Sequence, residues 1–279
     1  MKLRTVTHQG WTLSYEEHGT GPRVTVLVHG LLLDAGVNRP LARSLAKAGH
    51  RVVLVDMLGH GRSDKPRRAS AHRIDHYADA VITVLDHLEV DEAVVGGVSL
   101  GAGVGLMTGY RHPERVRAML LEMPVLENAT PFAAIMFLPL LLGMHWGGPV
   151  ARLATAGMAR LPRTGNETVD SFLGAVSKHP DEIKAVLHGL LMGPMGPDEN
   201  QRQAMRTPAL IIGHQSDPLH PHTDAARLAR QLPNGTLLKA RSPLELRTRP
   251  QRLTDEIIRF VDTAWAARPV GADGVTDVG

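Results

Sequence analysis

The chain has 279 residues, 43% of them hydrophobic and 21% charged, which is enough apolar content for a full-sized core and excludes disorder as the default. Its 31 basic and 28 acidic side chains leave a net charge of +3, too balanced for a nucleic-acid footprint; the cluster Arg62, Lys65, Arg67, Arg68 reads as a solvated loop face. There is no cysteine, so disulfides and thiolate metal sites are excluded. The opening Met1-Lys2-Leu3-Arg4-Thr5-Val6 lacks the apolar run of a signal peptide, and the expectation is a cytoplasmic protein. Residues 12–18 alternate as an edge strand should, and Val24-Thr25-Val26-Leu27-Val28 reads as a buried strand ending at His29-Gly30. A helix is expected over 40–48, a strand over 51–56, a helix over 75–88 and a strand over 93–98. A helix follows from Leu100 to about Arg111, then a strand over 116–121.

After Glu122 strand signals vanish until Ala209-Leu210-Ile211-Ile212-Gly213, and the sequence between is helical with Gly- and Pro-rich joints. The most apolar stretch of the chain, 131–144, is too short to span a bilayer and contains Pro139, so no membrane span is expected. The strand–helix rhythm resumes with a helix over 225–232, a strand over 236–239 and a last helix over 250–266. Short buried strands alternating with amphipathic helices predict an α/β fold, a mainly parallel sheet covered by helices on both faces. The expected division is a core of 1–124 and 208–269, a helical cap or lid of 125–207 beside the site, and a flexible tail of 270–279.

The chemistry centres on Gly97-Val98-Ser99-Leu100-Gly101, placed between a buried strand and a Gly/Ala-rich helix start. A sharp strand-to-helix turn strains the serine backbone and exposes its hydroxyl, and the two glycines remove side chains that would collide across the turn. The helix start puts a positive dipole end where an oxyanion can form.

Val26-Leu27-Val28-His29-Gly30 resembles the first oxyanion strand of the α/β-hydrolase family, and Asp56-Met57-Leu58-Gly59-His60-Gly61-Arg62-Ser63-Asp64 resembles that family's Asp-x-x-Gly-x-Gly-x-Ser turn. Asp217, in Ile212-Gly213-His214-Gln215-Ser216-Asp217-Pro218, matches the family's acid after the strand that follows the cap. The resemblance covers nearly the whole chain. It implies a serine hydrolase with Ser99 as nucleophile, backbone N–H groups of Leu31 and Leu100 as oxyanion hole, and His29 and His60 as structural residues that orient loops.

One position departs from the pattern. The family carries a histidine in the loop after its last strand; the matching stretch here is Lys239-Ala240-Arg241-Ser242-Pro243, with Arg241 in that place, and no histidine follows His222. A guanidinium stays protonated at physiological pH and cannot take a proton from serine, though it could pair with Asp217. His220, just past Asp217 and before the next helix, is the first candidate for a replacement base, and His145 in the cap the second. Glu122 reads as a loop carboxylate.

Rival readings are weaker. A dinucleotide-binding unit would need further glycines after Gly30, where Leu31-Leu32-Leu33 stand. A zinc hydrolase would need converging ligands, and His220 and His222 do not face one way on a helix. The remaining alternative is a non-hydrolytic protein of the same fold, for ligand binding or lyase-like catalysis with a degenerate triad. The expectation is a hydrolase without cofactor or metal, acting on a small apolar ester or acyl substrate and slow for want of the usual base.

Overall fold

The computed structural model describes residues 1–126, 138, 142–143, 148–215, 217 and 219–267. The expected tail, His145 and most of the apolar run at 131–144 lie outside the described residues. Among the described residues the sheet has eight strands in the order β1-β2-β4-β3-β5-β6-β7-β8. These are β1 (Lys2–His8), β2 (Trp11–His18), β3 (Val24–Val28), β4 (Arg51–Asp56), β5 (Ala93–Val98), β6 (Val116–Glu122), β7 (Ala209–His214) and β8 (Gly235–Ala240). From β4 to β8 all neighbours are parallel, while β2 is antiparallel to both β1 and β4.

The edge strands are therefore β1 and β8, and the expectation that 12–18 forms an edge is corrected. Gln9 and Gly10 both take positive φ (48° and 83°), the geometry of a tight hairpin turn, and so fold Lys2–His8 back along β2. The sequence of β1, mostly exposed and with its two apolar residues Leu3 and Val6 out of step, hid it from a search for apolar alternation.

Side-chain alternation along the central strands divides the core into two layers. Val26, Val28, Val53 and Val55 point into one cluster with α2 (Ile74–His87), α3 (Leu100–Arg111) and α8 (His222–Gln231). Leu27, Val52 and Leu54 point the other way, against α1 (Arg39–Lys47) and α10 (Gln251–Ala266). Both faces of the sheet are thus covered, which is what a parallel sheet requires to bury its near-continuous apolar strands. A short helix, α9 (Glu245–Thr248), joins β8 to α10. No helix among the described residues is long and apolar enough to cross a membrane.

Between β6 and β7 the described helices are α4 (Gly148–Met158), α5 (Glu167–Val176), α6 (Pro180–Leu191) and α7 (Glu199–Ala204). Two of them are bound tightly to the core. On α6, a Cβ at Gly189 would meet the Ala69 carbonyl oxygen at 2.3 Å, so glycine is what lets the helix approach. On α5, Ser171 Oγ accepts from the Asp34 N–H (3.0 Å), and Glu167 pairs with Arg43 (2.7 Å). By contrast α4 leaves Val150 and Leu153 each 74% exposed.

Candidate active site

β5 is buried along its whole length and delivers Ser99 at its C-terminal end. A Cβ at Gly97 would lie 1.9 Å from the Val28 carbonyl oxygen, and one at Gly101 would lie 2.1 Å from the same atom. Both glycines are needed because β3 and the start of α3 pass that close. Ser99 itself takes φ 54° and ψ −107°, a conformation costing a non-glycine residue about 1–3 kcal/mol. Its N–H donates to the Glu122 carbonyl (2.8 Å) and its carbonyl accepts from Gly103 (3.1 Å), bonds that hold the strained turn. Although Ser99 is the N-cap residue of α3, its side chain makes no capping bond, which leaves the hydroxyl for other partners.

That hydroxyl meets His220. The Oγ lies 2.8 Å from His220 Nε2, and His220 Nδ1 lies 2.9 Å from Asp217 Oδ2. The other Asp217 oxygen accepts from the backbone N–H groups of Leu219 (2.9 Å) and His220 (3.1 Å), so the carboxylate closes a short turn around itself. Asp217 and His220 side chains are 8% and 10% exposed, and His220 lines the cavity beside them. With Nδ1–H donating to the carboxylate, Nε2 presents its lone pair to the serine O–H. Thus two residues three positions apart supply both the carboxylate and the imidazole.

Arg241 does not reach Asp217. Its side chain is exposed, and its backbone N–H donates to Glu245 (2.5 Å). The cation at this end of the sheet is Arg247, whose Nη1 donates to Glu122 Oε1. Glu122 is the last residue of β6 and is buried, so its reading as a loop carboxylate is corrected. His214 Nε2 also lies 3.1 Å from Glu122, while His214 Nδ1 faces the Ser242 carbonyl (2.7 Å). Burial alone would raise the Glu122 carboxyl, but Arg247 and then His214 outweigh it and lower it to about 2. Arg247 was missed in the sequence. The available signal was a carboxylate ending a buried strand, which has to find a cation somewhere.

His29 and His60 sit in loop interiors. His29 Nδ1 donates to the Gly30 carbonyl (2.8 Å) and its Nε2 accepts from the Met57 N–H (3.0 Å), tying the loop after β3 to the loop after β4. Burial lowers the pKa of both rings and keeps them neutral. Asp56 holds the same corner by accepting from the N–H groups of Ala35 (2.8 Å) and Arg62 (2.9 Å).

Ser99 and His220 open on a cavity of about 590 Å³. Leu31 and Leu100 line it, with Leu33, Val98 and Met123 from the core and Phe172, Leu187 and Met195 from the helical segment. Leu100 begins α3, where backbone N–H groups lack helical partners. Among the described residues no group of three or more His, Asp or Glu side chains is placed to hold a metal ion.

Comparison with known proteins agrees with the fold. The family model described as alpha/beta hydrolase fold matches residues 24–187. The 2-hydroxymuconate semialdehyde hydrolase of a Pseudomonas species is 41% identical over 104 residues, 37% of this chain and 33% of that protein. Zearalenone hydrolase of Bionectria ochroleuca is 39% identical over 127 residues, 42% of this chain and 46% of that protein. The matched stretch therefore spans less than half the length of either relative. Among solved structures, the enol-lactonase from Burkholderia xenovorans superposes with a TM-score of 0.75 at 19% identity, covering 93% of this chain and 100% of that one. A meta-cleavage product hydrolase from Pseudomonas fluorescens gives a TM-score of 0.70 at 18% identity, over 94% and 98% of the two chains. At such identities the likeness is one of fold. By its matched family model and its sheet, this chain belongs to the alpha/beta hydrolase fold family.

Proposed function

We propose that this chain is a serine hydrolase of carboxylic esters or related acyl substrates, working without cofactor. The observation that carries the reading is the line Ser99 Oγ, His220 Nε2 (2.8 Å), His220 Nδ1, Asp217 Oδ2 (2.9 Å). A serine hydroxyl becomes a competent nucleophile only when a base takes its proton, and here an imidazole stands within hydrogen-bond reach. Ser99 Oγ attacks the carbonyl carbon while its proton passes to His220 Nε2. Asp217 holds Nδ1–H and stabilises the imidazolium.

The tetrahedral oxyanion is received by the N–H groups of Leu31 and Leu100, two neighbours of Ser99 on the cavity wall. Its collapse expels the leaving alcohol, protonated by His220, and leaves an acyl-serine. Water, deprotonated by His220, then attacks the acyl carbon, and Ser99 recovers its proton as the acid departs. Residues 125–207 serve as the cap, with α5 and α6 walling the cavity against water.

The expectation of slow turnover, and with it the non-hydrolytic alternative, rested on an absent imidazole. His220 at 2.8 Å from the hydroxyl supports the hydrolytic reading instead. The test is hydrolysis of a p-nitrophenyl ester panel by wild type and Ser99→Ala. Loss of all turnover above background in the variant is expected; equal rates would overturn the proposal.

A further inference from the structure

Taken with the serine-hydrolase reading, on which it rests, the chemistry of the cavity wall narrows the substrate. A volume of about 590 Å³ is that of a pocket for a drug-sized molecule rather than a short acyl group. Its described wall is mostly apolar, ten leucines with residues such as Val37, Ile74, Phe172 and Met195, and among the described lining residues only one charged side chain reaches it, Arg247. No carboxylate lines the cavity among those residues.

Arg247 is an unusual lining residue because its charge is already matched. Glu122 is its hydrogen-bond partner, through Nη1, and the low Glu122 pKa keeps that carboxylate ionised. His214, the other neighbour of Glu122, does not line the cavity. A guanidinium carries five N–H donors, and Glu122 occupies Nη1 alone. The remaining Arg247 nitrogens make no other described hydrogen bond, and Arg247 lines the cavity.

Two consequences follow from elementary electrostatics. An anionic group entering this apolar space would be desolvated against a cation whose charge is already compensated, with the Glu122 carboxylate just behind it. An uncharged oxygen acceptor loses far less on leaving water and gains a charge-assisted hydrogen bond.

We infer that the substrate is an uncharged, largely apolar ester or lactone bearing a second oxygen acceptor, a ketone, hydroxyl or ether oxygen remote from the scissile carbonyl, and that Arg247 is the residue that selects for it. Arg247 touches the substrate away from the reacting atoms, so its effect falls on KM more than on kcat.

The test uses p-nitrophenyl decanoate, its oxo-decanoate isomers with the ketone stepped along the chain, and the anionic monoester of decanedioic acid. At least one oxo isomer should exceed plain decanoate in kcat/KM by roughly tenfold, mainly through KM, and the anionic ester should fall roughly tenfold below it. In the double variant Glu122→Gln/Arg247→Met, which removes the two charges together, the oxo-to-plain ratio should drop to about one. The same esters are titrated against Ser99→Ala to read their Kd without turnover. If no isomer gains over decanoate in wild-type kcat/KM or in Ser99→Ala affinity, or if the carboxylate ester is preferred, the inference is overturned while hydrolysis stands. If wild type hydrolyses none of the esters yet Ser99→Ala still prefers an oxo isomer, the hydrolase reading fails and Arg247 selection survives. Should the double variant not fold, the wild-type ratios and the Ser99→Ala affinities still decide.

Discussion

Two carboxylate–imidazole pairs sit at the C-terminal end of the same sheet, and the third group facing each sets them apart. Asp217 and His220, in the loop after β7, face the Ser99 hydroxyl. Glu122 and His214, which end β6 and β7, face the Arg247 guanidinium and the Ser242 carbonyl. The residue types are nearly the same. In the first pair an imidazole nitrogen meets a group that can give up a proton. In the second both ring nitrogens meet oxygens that have none to give, and the carboxylate is neutralised by a permanent cation. Such a pair holds loops together but cannot start a nucleophilic reaction. Capacity for proton transfer is set by what the free nitrogen faces.

The sharpest way to break this comparison is to remove each imidazole in turn. His220→Gln should cost about 10⁴-fold or more in kcat for a p-nitrophenyl ester, as large as the loss in Ser99→Ala, because the two act as one unit. His214→Gln should cost less than about tenfold, since it touches neither the serine nor the cavity. Steady-state rates of the two variants, with circular dichroism to check folding, measure the difference. Comparable losses would erase the distinction. Asp217→Asn should fall between, roughly 10²–10⁴-fold down in kcat, because Ser99 and His220 keep their contact but the imidazolium loses its counter-charge.

The second pair should show itself in stability. The Glu122 carboxyl lies at about 2 in the fold against an ordinary 4.5. Its folded value is depressed, so its contribution is complete above about 4.5 and is lost as pH falls from there towards about 2. Urea midpoints across that window should decline, and the part due to this group should vanish in Glu122→Gln, which itself destabilises by leaving Arg247 without its anion. Identical pH profiles for variant and wild type would contradict the assignment.

How much of this was readable from residues alone divides along a physical line. The parallel strands were legible because each is a short apolar run, and β3, β4 and β5 fall where Val24-Thr25-Val26-Leu27-Val28 and its counterparts predict. The Gly97-Val98-Ser99-Leu100-Gly101 turn was legible because backbone clashes of about 2 Å forbid a side chain at either glycine. β1 was not, since its two apolar residues, Leu3 and Val6, do not alternate in step and only the Gln9–Gly10 turn betrays it.

The proposed base was only half legible. His220 could be named as a candidate, but spacing cannot tell whether an imidazole three residues from Asp217 turns inward to Ser99 or outward to water. That depends on the turn closed by the Leu219 and His220 N–H groups on the carboxylate. The ion pair of Arg247 with Glu122 joins residues 125 positions apart, beyond the reach of local reading. Arg241 drew attention by its place in the chain, yet its side chain points to solvent. The smallest expected effect follows: Arg241→His should leave ester turnover within about twofold of wild type, checked by kcat/KM on the same ester. A large gain would mean that the loop after β8, not the turn after β7, presents the working imidazole.

The most direct test is the rate at which a fluorophosphonate probe labels the intact protein, followed by mass spectrometry of the modified peptide. Rapid labelling at Ser99 in wild type, none in Ser99→Ala and a rate lower by about 10³-fold or more in folded His220→Gln are predicted. Labelling of His220→Gln as fast as wild type would contradict the assignment of His220 as the base.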